Sequence, residues 1–178
     1  VTLSSNVTKI KSYAFENSLV KEINFPKKLK FIGAHAFEYA PLTQTVFGEN
    51  LKHIGVNAFA NCKLQSVSLP SSLETVEYGA FASNITLTSI TLNNTCELDV
   101  ETFENCSKYW ERKGEYTSNT QHPITVHLGA KATLPLNALI SDLGDHITFT
   151  VDPGNTTYYI QDGSLYKTRG NVKVYPQN

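Results

Sequence analysis

The chain has 178 residues, enough for one domain with a sizeable core. Hydrophobic residues make up 40% and charged residues only 17%, against about a quarter in an ordinary soluble domain, and 14 Ser, 19 Thr and 15 Asn fill the deficit. A net charge of −1 with no basic or acidic block excludes the clustered Lys and Arg that a nucleic-acid or anionic-membrane surface needs, and no run approaches the ~20 apolar residues of a membrane span.

From the first residues onward the chain is periodic. Phe15, Phe37, Phe59, Phe81 and Phe103 stand 22 residues apart, preceded by Ala14, Ala36, Ala58, Ala80 and then Thr102. A fixed period in this range marks a solenoid, in which each repeat is one coil stacked on the last. The chain opens inside a repeat, without an initiator Met or a signal peptide, so it reads as a mature or excised fragment. Lys27, Lys28 and Lys30 read as a solvated turn.

The cleanest coil runs through Leu64, Val67, Leu69, Pro70, Leu73, Val76, Ala80 and Phe81. Val67-Ser68-Leu69 alternates as a short half-buried strand, and Pro70 ends it by withholding a ladder donor. Leu73 and Val76 point inward from the opposite arc, and Ala80-Phe81 opens a tight turn or short helix. Inward strand positions read Ile23/Phe25, Thr45/Phe47, Val67/Leu69 and Ile90/Leu92. The second arc reads Val7/Ile10, Leu29/Ile32, Leu51/Ile54, Leu73/Val76 and a weaker Thr95/Leu98. One coil has too little apolar area to fold alone, so stacking must join the columns into one core.

Outward strand positions form a continuous sheet face. Glu22, Gln44, Ser66 and Ser89 stack in one column, and Asn24, Val46, Ser68 and Thr91 in the next. The face is polar, nearly uncharged and built from short side chains. It suits hydrogen bonding to sugars or to peptide backbone, and it equally suits plain solubility.

Regular repeats occupy 1–106, and a polar insertion follows at 107–123. Phe103, Cys106 and Tyr109/Trp110 fall at helical spacing, with Gly114 placed to close that helix, which favours Trp110 in the core. Exposed instead, Trp110 and Tyr116 would form a contact hot spot. Degenerate coils fill 124–155: Val126-His127-Leu128 is the next strand, Leu139 takes the Phe slot, and Ile147-Thr148-Phe149 matches Val67-Ser68-Leu69. The tail at 156–178 carries Asp162-Gly163 and Arg169-Gly170-Asn171 turns between alternating segments, a hairpin or three-strand meander over the last coil.

At these residues the chain resembles the BspA-type, or Treponema-type, leucine-rich repeat. The resemblance rests on Ala-Phe with Cys or Asn three later, on L-x-x-[IV]-x-[LF]-P, on L-x-x-[IV]-G at Leu29–Gly33 and Leu51–Gly55, and on the Asp162-Gly163-Ser164-Leu165-Tyr166 hairpin. It covers nearly all of 3–176 and leaves Ser107–Pro123 outside. It implies a leucine-rich-repeat solenoid, a right-handed superhelix that is β-rich with short helical or 3-10 turns, 22-residue repeats and a C-terminal β-hairpin cap. It also implies a secreted or cell-surface module engaged in adhesion to a protein or glycan on a host or neighbouring cell, with no general catalytic residues.

Signals for chemistry are absent. His35, His53, His122, His127 and His146 are scattered without metal-ligand spacing, and His127 faces out of a strand. Asp142 and Asp145 flank Gly144 at a helix end, and these acids, with Asp152 and Asp162, read as turn and helix-end residues rather than a catalytic pair. No nucleophile elbow, phosphate loop or dinucleotide fingerprint occurs, so no cofactor or metal is expected. Cys62 and Cys106 share one repeat position two coils apart, too far to bridge, whereas Cys96 to Cys106 is sterically conceivable. Asn-x-Ser/Thr at Asn6, Asn84, Asn93, Asn105 and Asn155 matches what this composition gives and is no glycosylation signal. The expectation is therefore a non-enzymatic binding module. Its rivals are a structural spacer that binds nothing, and an enzyme with an unrecognised site.

Overall fold

Three rows of hydrogen bonds, each running along a different arc of the coil, hold the stack together. The computed structural model describes residues 1–93, 95–106, 108–110, 116–118, 123–133, 135–144 and 147–175. Its elements begin with the short strands β1 (Lys9–Ile10), β2 (Phe31–Ile32) and β3 (His53–Ile54), then β4 (Ser66–Leu69), β5 (Thr75–Val76) and β6 (Ser89–Leu92). After these come β7 (Lys108–Trp110), β8 (Tyr116–Ser118), β9 (Ile124–Leu128), the helix α1 (Asn137–Leu143) and β10 (Ile147–Val151). The chain closes with β11 (Tyr158–Gln161), β12 (Ser164–Lys167) and β13 (Val172–Tyr175).

The first row is a parallel ladder β1-β2-β3-β5, in which Ile10, Ile32, Ile54 and Val76 align and point inward. An isolated bridge from Val76 to Leu98 carries it one coil further. The second row is the longer parallel ladder β4-β6-β9-β10. Val67, Ile90, Val126 and Phe149 share one inward column, and Leu69, Leu92, Leu128 and Val151 the next. This corrects the register expected for β10: Phe149, not Ile147, continues the Val67 column. The slip is two residues, so the same side chains still face the core, as a period of two requires.

The third row is the Phe turn, and it is not a helix. Left-handed residues stand two before and two after each Phe: Tyr13 and Asn17, His35 and Tyr39, Asn57 and Asn61, Gly79 and Ser83, Glu101 and Asn105. Asn and Gly are the residues that tolerate this conformation best, and four Asn and one Gly fill these ten positions. The alternation turns every second N–H toward the next coil. Phe15, Phe37, Phe59 and Phe81 donate to the carbonyls of Ala36, Ala58, Ala80 and Thr102 at 2.7–2.9 Å. The rings stack face to face at 5.0–5.4 Å from Phe15 to Phe103. Ala36, Ala58 and Ala80 are fully buried because a larger side chain would force the coils apart.

The position three after Phe59, Phe81 and Phe103 serves the same row. The Cys62 thiol donates to the Phe37 carbonyl, the Asn84 amide to those of Phe59 and Phe81, and the Cys106 thiol to that of Phe81. Asn84 is fully buried, which removes its Asn-x-Thr from any glycosylation reading.

Period and structure part company after Cys106. The expected helix through Tyr109/Trp110 is absent, and β7 pairs antiparallel with β8. Phe103 and Cys106 are spaced by the Phe turn, a spacing that imitates a helical face, while Tyr109, Trp110, Tyr116 and Thr117 are residue types that favour strand pairing. Gly114 and the Trp110 and Tyr116 side chains lie outside the described residues.

At the sixth Phe slot the coil is a genuine helix, with its end at Gly144 as expected. Leu139 and Leu143, one helical turn apart, are both buried in α1, and Gly144 ends the helix at φ 64° with its N–H on the Ile140 carbonyl. Phe103 thus meets no neighbouring turn carbonyl. Its N–H donates instead to Asp142 Oδ2 at 3.0 Å. Asp142 is therefore a buried acceptor rather than the turn residue expected; Asp145 lies outside the described residues.

The tail forms an antiparallel sheet β11-β12-β13 with a register shift between Leu165 and Tyr166. Tyr158, Leu165 and Tyr175 are buried. The Tyr175 ring packs edge-on against Phe149, and its hydroxyl donates to the Gly144 carbonyl. Apolar surface of the last strand is covered in this way.

Candidate functional site

The outer face of the long ladder grows from alternation alone: each strand sends one residue in and the next out. Registers align Gln44, Ser66, Ser89, Thr125 and Thr148 in one outward column, and Ser68, Thr91, His127 and Thr150 in the other. Thr125, His127, Thr148 and Thr150 extend the face beyond the residues expected from the regular repeats. Their signal was the alternation of Ile124–Leu128 and Ile147–Val151, hidden by the insertion between the coils. His127 stands out of β9, as expected, with Nδ1 2.9 Å from Thr150 Oγ1.

Toward the N-terminus the face is not continuous. Among the described residues no ladder joins Glu22–Phe25 to Gln44–Phe47; only the single bridges Thr2–Asn24 and Gln44–Ser66 occur on this arc. Phe25 and Phe47, tilted 32° at 5.4 Å, stand where the paired coils have Leu69 and Leu92. A shallow recess of about 250 Å³ opens there, lined by Glu22, Asn24, Gln44 and Val46. Val46 is 78% exposed at its rim. The eight expected residues thus fall into two groups, Ser66, Ser68, Ser89 and Thr91 on the ladder and Glu22, Asn24, Gln44 and Val46 around the recess, with the Gln44–Ser66 bridge between them.

The opposite arc holds side chains that sequence reasoning passed over. Lys9, Phe31, His53 and Thr75 form the outward column of the short ladder. Phe31 leaves 43% of its surface in solvent, and its ring centroid lies 6.0 Å from that of His53. His53 Nδ1 meets Thr75 Oγ1 at 2.6 Å, and its Nε2 faces Glu77 Oε1 at 3.8 Å. The other Glu77 oxygen accepts the Val56 N–H at 2.9 Å. Nearby, Tyr13 stacks on His35 at 4.9 Å, and His35 pairs with Glu38. The available signal was Phe31 itself, an aromatic at an outward position of the 22-residue frame.

Nucleophile chemistry finds little support. Burial pushes the Cys62 and Cys106 thiols up to about 12, so neither forms a thiolate at neutral pH. Both are free and separated by two steps of the ring stack, each of 5.4 Å, as their shared column requires. Among the described residues no group of three or more His, Cys, Asp or Glu could hold a metal ion.

Comparison with known proteins gives two findings. The family model for the BspA type leucine rich repeat region matches residues 1–110 in six copies. Among solved structures, a leucine-rich repeat protein from Bacteroides ovatus superposes with a TM-score of 0.56 at 22% identity, covering 75% of this chain and 36% of that one. That likeness speaks for the fold alone. No curated protein sequence matches the chain.

Proposed function

The chain belongs to the BspA-type leucine-rich repeat family, and from that premise we propose that it is a non-enzymatic, secreted or cell-surface adhesion module for a protein or glycan partner. We treat 1–178 as one repeat domain. The observation that carries the reading is the outer face of the long ladder, a broad surface of hydroxyls and amides with almost no charge. Its ordered backbone fixes those groups in rows, so a partner does not have to order them on docking. Neutral donors and acceptors are cheaper to desolvate than charges, which suits hydrogen bonding to sugar hydroxyls or to peptide backbone. Surface placement is supported by the family; no helix among the described residues is long and apolar enough to cross a membrane.

An array of glycans and matrix proteins probed with the purified chain tests the reading. Ser66→Arg with Ser68→Arg adds bulk and charge to the face while sparing the core, and it should abolish binding at an unchanged melting temperature. Loss of binding only on deleting Lys108–Gln121 would move the contact to the Trp110 and Tyr116 insertion. Without any partner at about micromolar concentration, the spacer reading takes its place.

A further inference from the structure

On the short ladder, two consecutive coils carry glycine where their neighbours carry Lys11 and Glu77: Gly33 and Gly55 share that repeat position. A Cβ on Gly33 would meet Ser12 N at 2.5 Å, and one on Gly55 would meet Ala34 N at 2.6 Å, so close backbone approach dictates the glycines. Of the two, Gly33 lines the recess beside it and contributes only backbone there, between taller side chains. This recess holds about 320 Å³ and is lined by Lys9, Ser12, Phe31, Gly33, His53 and Glu77. That volume is at the small end of ligand pockets.

The lining groups share one chemical character. Phe31 offers an aromatic ring to solvent, and the negative face of such a ring attracts the polarised C–H groups on one side of a sugar ring. His53 Nε2 and Glu77 Oε1 stand 3.8 Å apart, too far to bond each other well. A hydroxyl set beside the pair, in reach of both atoms, can accept from one and donate to the other, because it is donor and acceptor on one atom. Both groups are pre-set: Thr75 holds the far side of the imidazole, and the Val56 N–H holds the other carboxylate oxygen. Lys9 and Ser12 supply further partners for hydroxyls. Lys9 and Glu77 carry opposite charge, so the recess gives no preference for an ionic ligand.

We propose that this recess is a subsite for a neutral pyranose unit of a glycan, with the sugar ring on Phe31 and one hydroxyl in reach of both His53 and Glu77. It lies on a different arc from the long-ladder face and does not depend on the docking proposed there. The test is saturation-transfer NMR on the full chain with millimolar methyl glycosides of glucose, galactose, mannose and N-acetylglucosamine. At least one should show transfer to its ring C–H protons. Phe31→Ala should weaken that glycoside at least tenfold while circular dichroism and melting stay close to wild type, since much of the side chain is exposed. Glu77→Gln keeps an oxygen for the Val56 N–H but loses carboxylate acceptance, and it should also weaken the sugar. The Ser66→Arg, Ser68→Arg protein should bind the glycoside unchanged. Absence of transfer from all four, or transfer that persists in Phe31→Ala, overturns the subsite. Loss of transfer in the double Arg protein alone also overturns it, by putting the sugar on the long-ladder face, and would leave the binding-module reading standing.

Discussion

Phe81 and Phe103 occupy the same position in consecutive coils, and their N–H groups are satisfied in different ways. Phe81 donates to the Thr102 backbone, as every earlier Phe does to its neighbour, while Phe103 donates to the Asp142 side chain. Backbone pairing between identical turns repeats without demanding any particular side chain. Once the sixth turn becomes a helix, that partner is gone, and a buried donor left alone is costly. One carboxylate carried on α1 supplies the acceptor. The Phe row of the regular coils is held by geometry common to all of them, whereas among the described residues its junction with α1 is made through the Asp142 side chain.

The sharpest test of this contrast lies in the regular stack. Phe59 touches rings on both sides and is fully buried, so Phe59→Ala should cost about 3–5 kcal/mol by equilibrium urea melts. A cost near that of a surface change would mean that the Phe column is not the spine of the fold.

The junction comes next. Asp142→Ala leaves the buried Phe103 N–H unpaired, and about 1–3 kcal/mol should be lost. Asp142 also carries a pH signature. Burial first, then the nearby Glu104 and Glu101 carboxylates, push it up to about 6, against the lowering effect of the Phe103 and Glu101 backbone. A folded-state value above the unfolded one means that the native protein takes up a proton the unfolded chain does not, between about 6 and 3.8. This group therefore stabilises the fold progressively as pH falls through that window and costs stability above it. Melting curves at pH 7 and 5 should show wild type gaining on Asp142→Asn at the lower pH. A pH-independent gap would take the buried carboxylate out of the junction.

How much of this could be read from residues alone follows the same division. Phe15 to Phe103, Leu29/Ile32 to Leu73/Val76 and Val67/Leu69 repeat at one spacing, so the columns and the stack were visible without coordinates. The Phe turn was visible as a tight turn or short helix at Ala80-Phe81, but its conformation was not. Its left-handed positions include Tyr13, His35, Tyr39, Ser83 and Glu101, which carry no conformational signature, while Asn17, Asn57, Asn61, Asn105 and Gly79 hint at it. Asp142 could not be identified because its role arises from a contact across 39 residues. The split at Phe25 and Phe47 escaped because pairing is decided between coils, where alternation within a strand gives no warning. The recess at Phe31 escaped because its lining comes from four coils, at Lys9, Phe31, His53 and Glu77, and includes Gly33, read only as a repeat letter. The eight face residues were accessible as a set, but their division into ladder and recess was not.

A smaller effect is expected at the N-terminal break in the face. Thr45 occupies a core slot that Ile23 and Val67 fill in adjacent coils, and its buried hydroxyl has no hydrogen-bond partner. Thr45→Val keeps the shape and removes the stranded group, so stability should rise by about 1 kcal/mol. Destabilisation instead would show that this hydroxyl is satisfied when the coil breathes, and that the break is not simply a weak point.

The smallest effect separates the core from the face in both halves of the molecule. Ser68 in a regular coil and Thr150 in a degenerate one share an outward column, joined through Thr91 and His127. Ser68 leaves no buried partner behind when truncated, so Ser68→Ala should stay within about 0.5 kcal/mol. Thr150 differs by its contact with His127 Nδ1, but that contact is exposed and water replaces it readily. Thr150→Ala should therefore also stay within about 0.5 kcal/mol. Urea melts of the two variants beside Phe59→Ala make the comparison. If Ser68→Ala and Phe59→Ala melt alike, the inward and outward assignments of the regular coils are wrong. If only Thr150→Ala is costly, the degenerate coils rely on surface side chains as well as on Asp142, and the contrast between the two halves is deeper than one carboxylate.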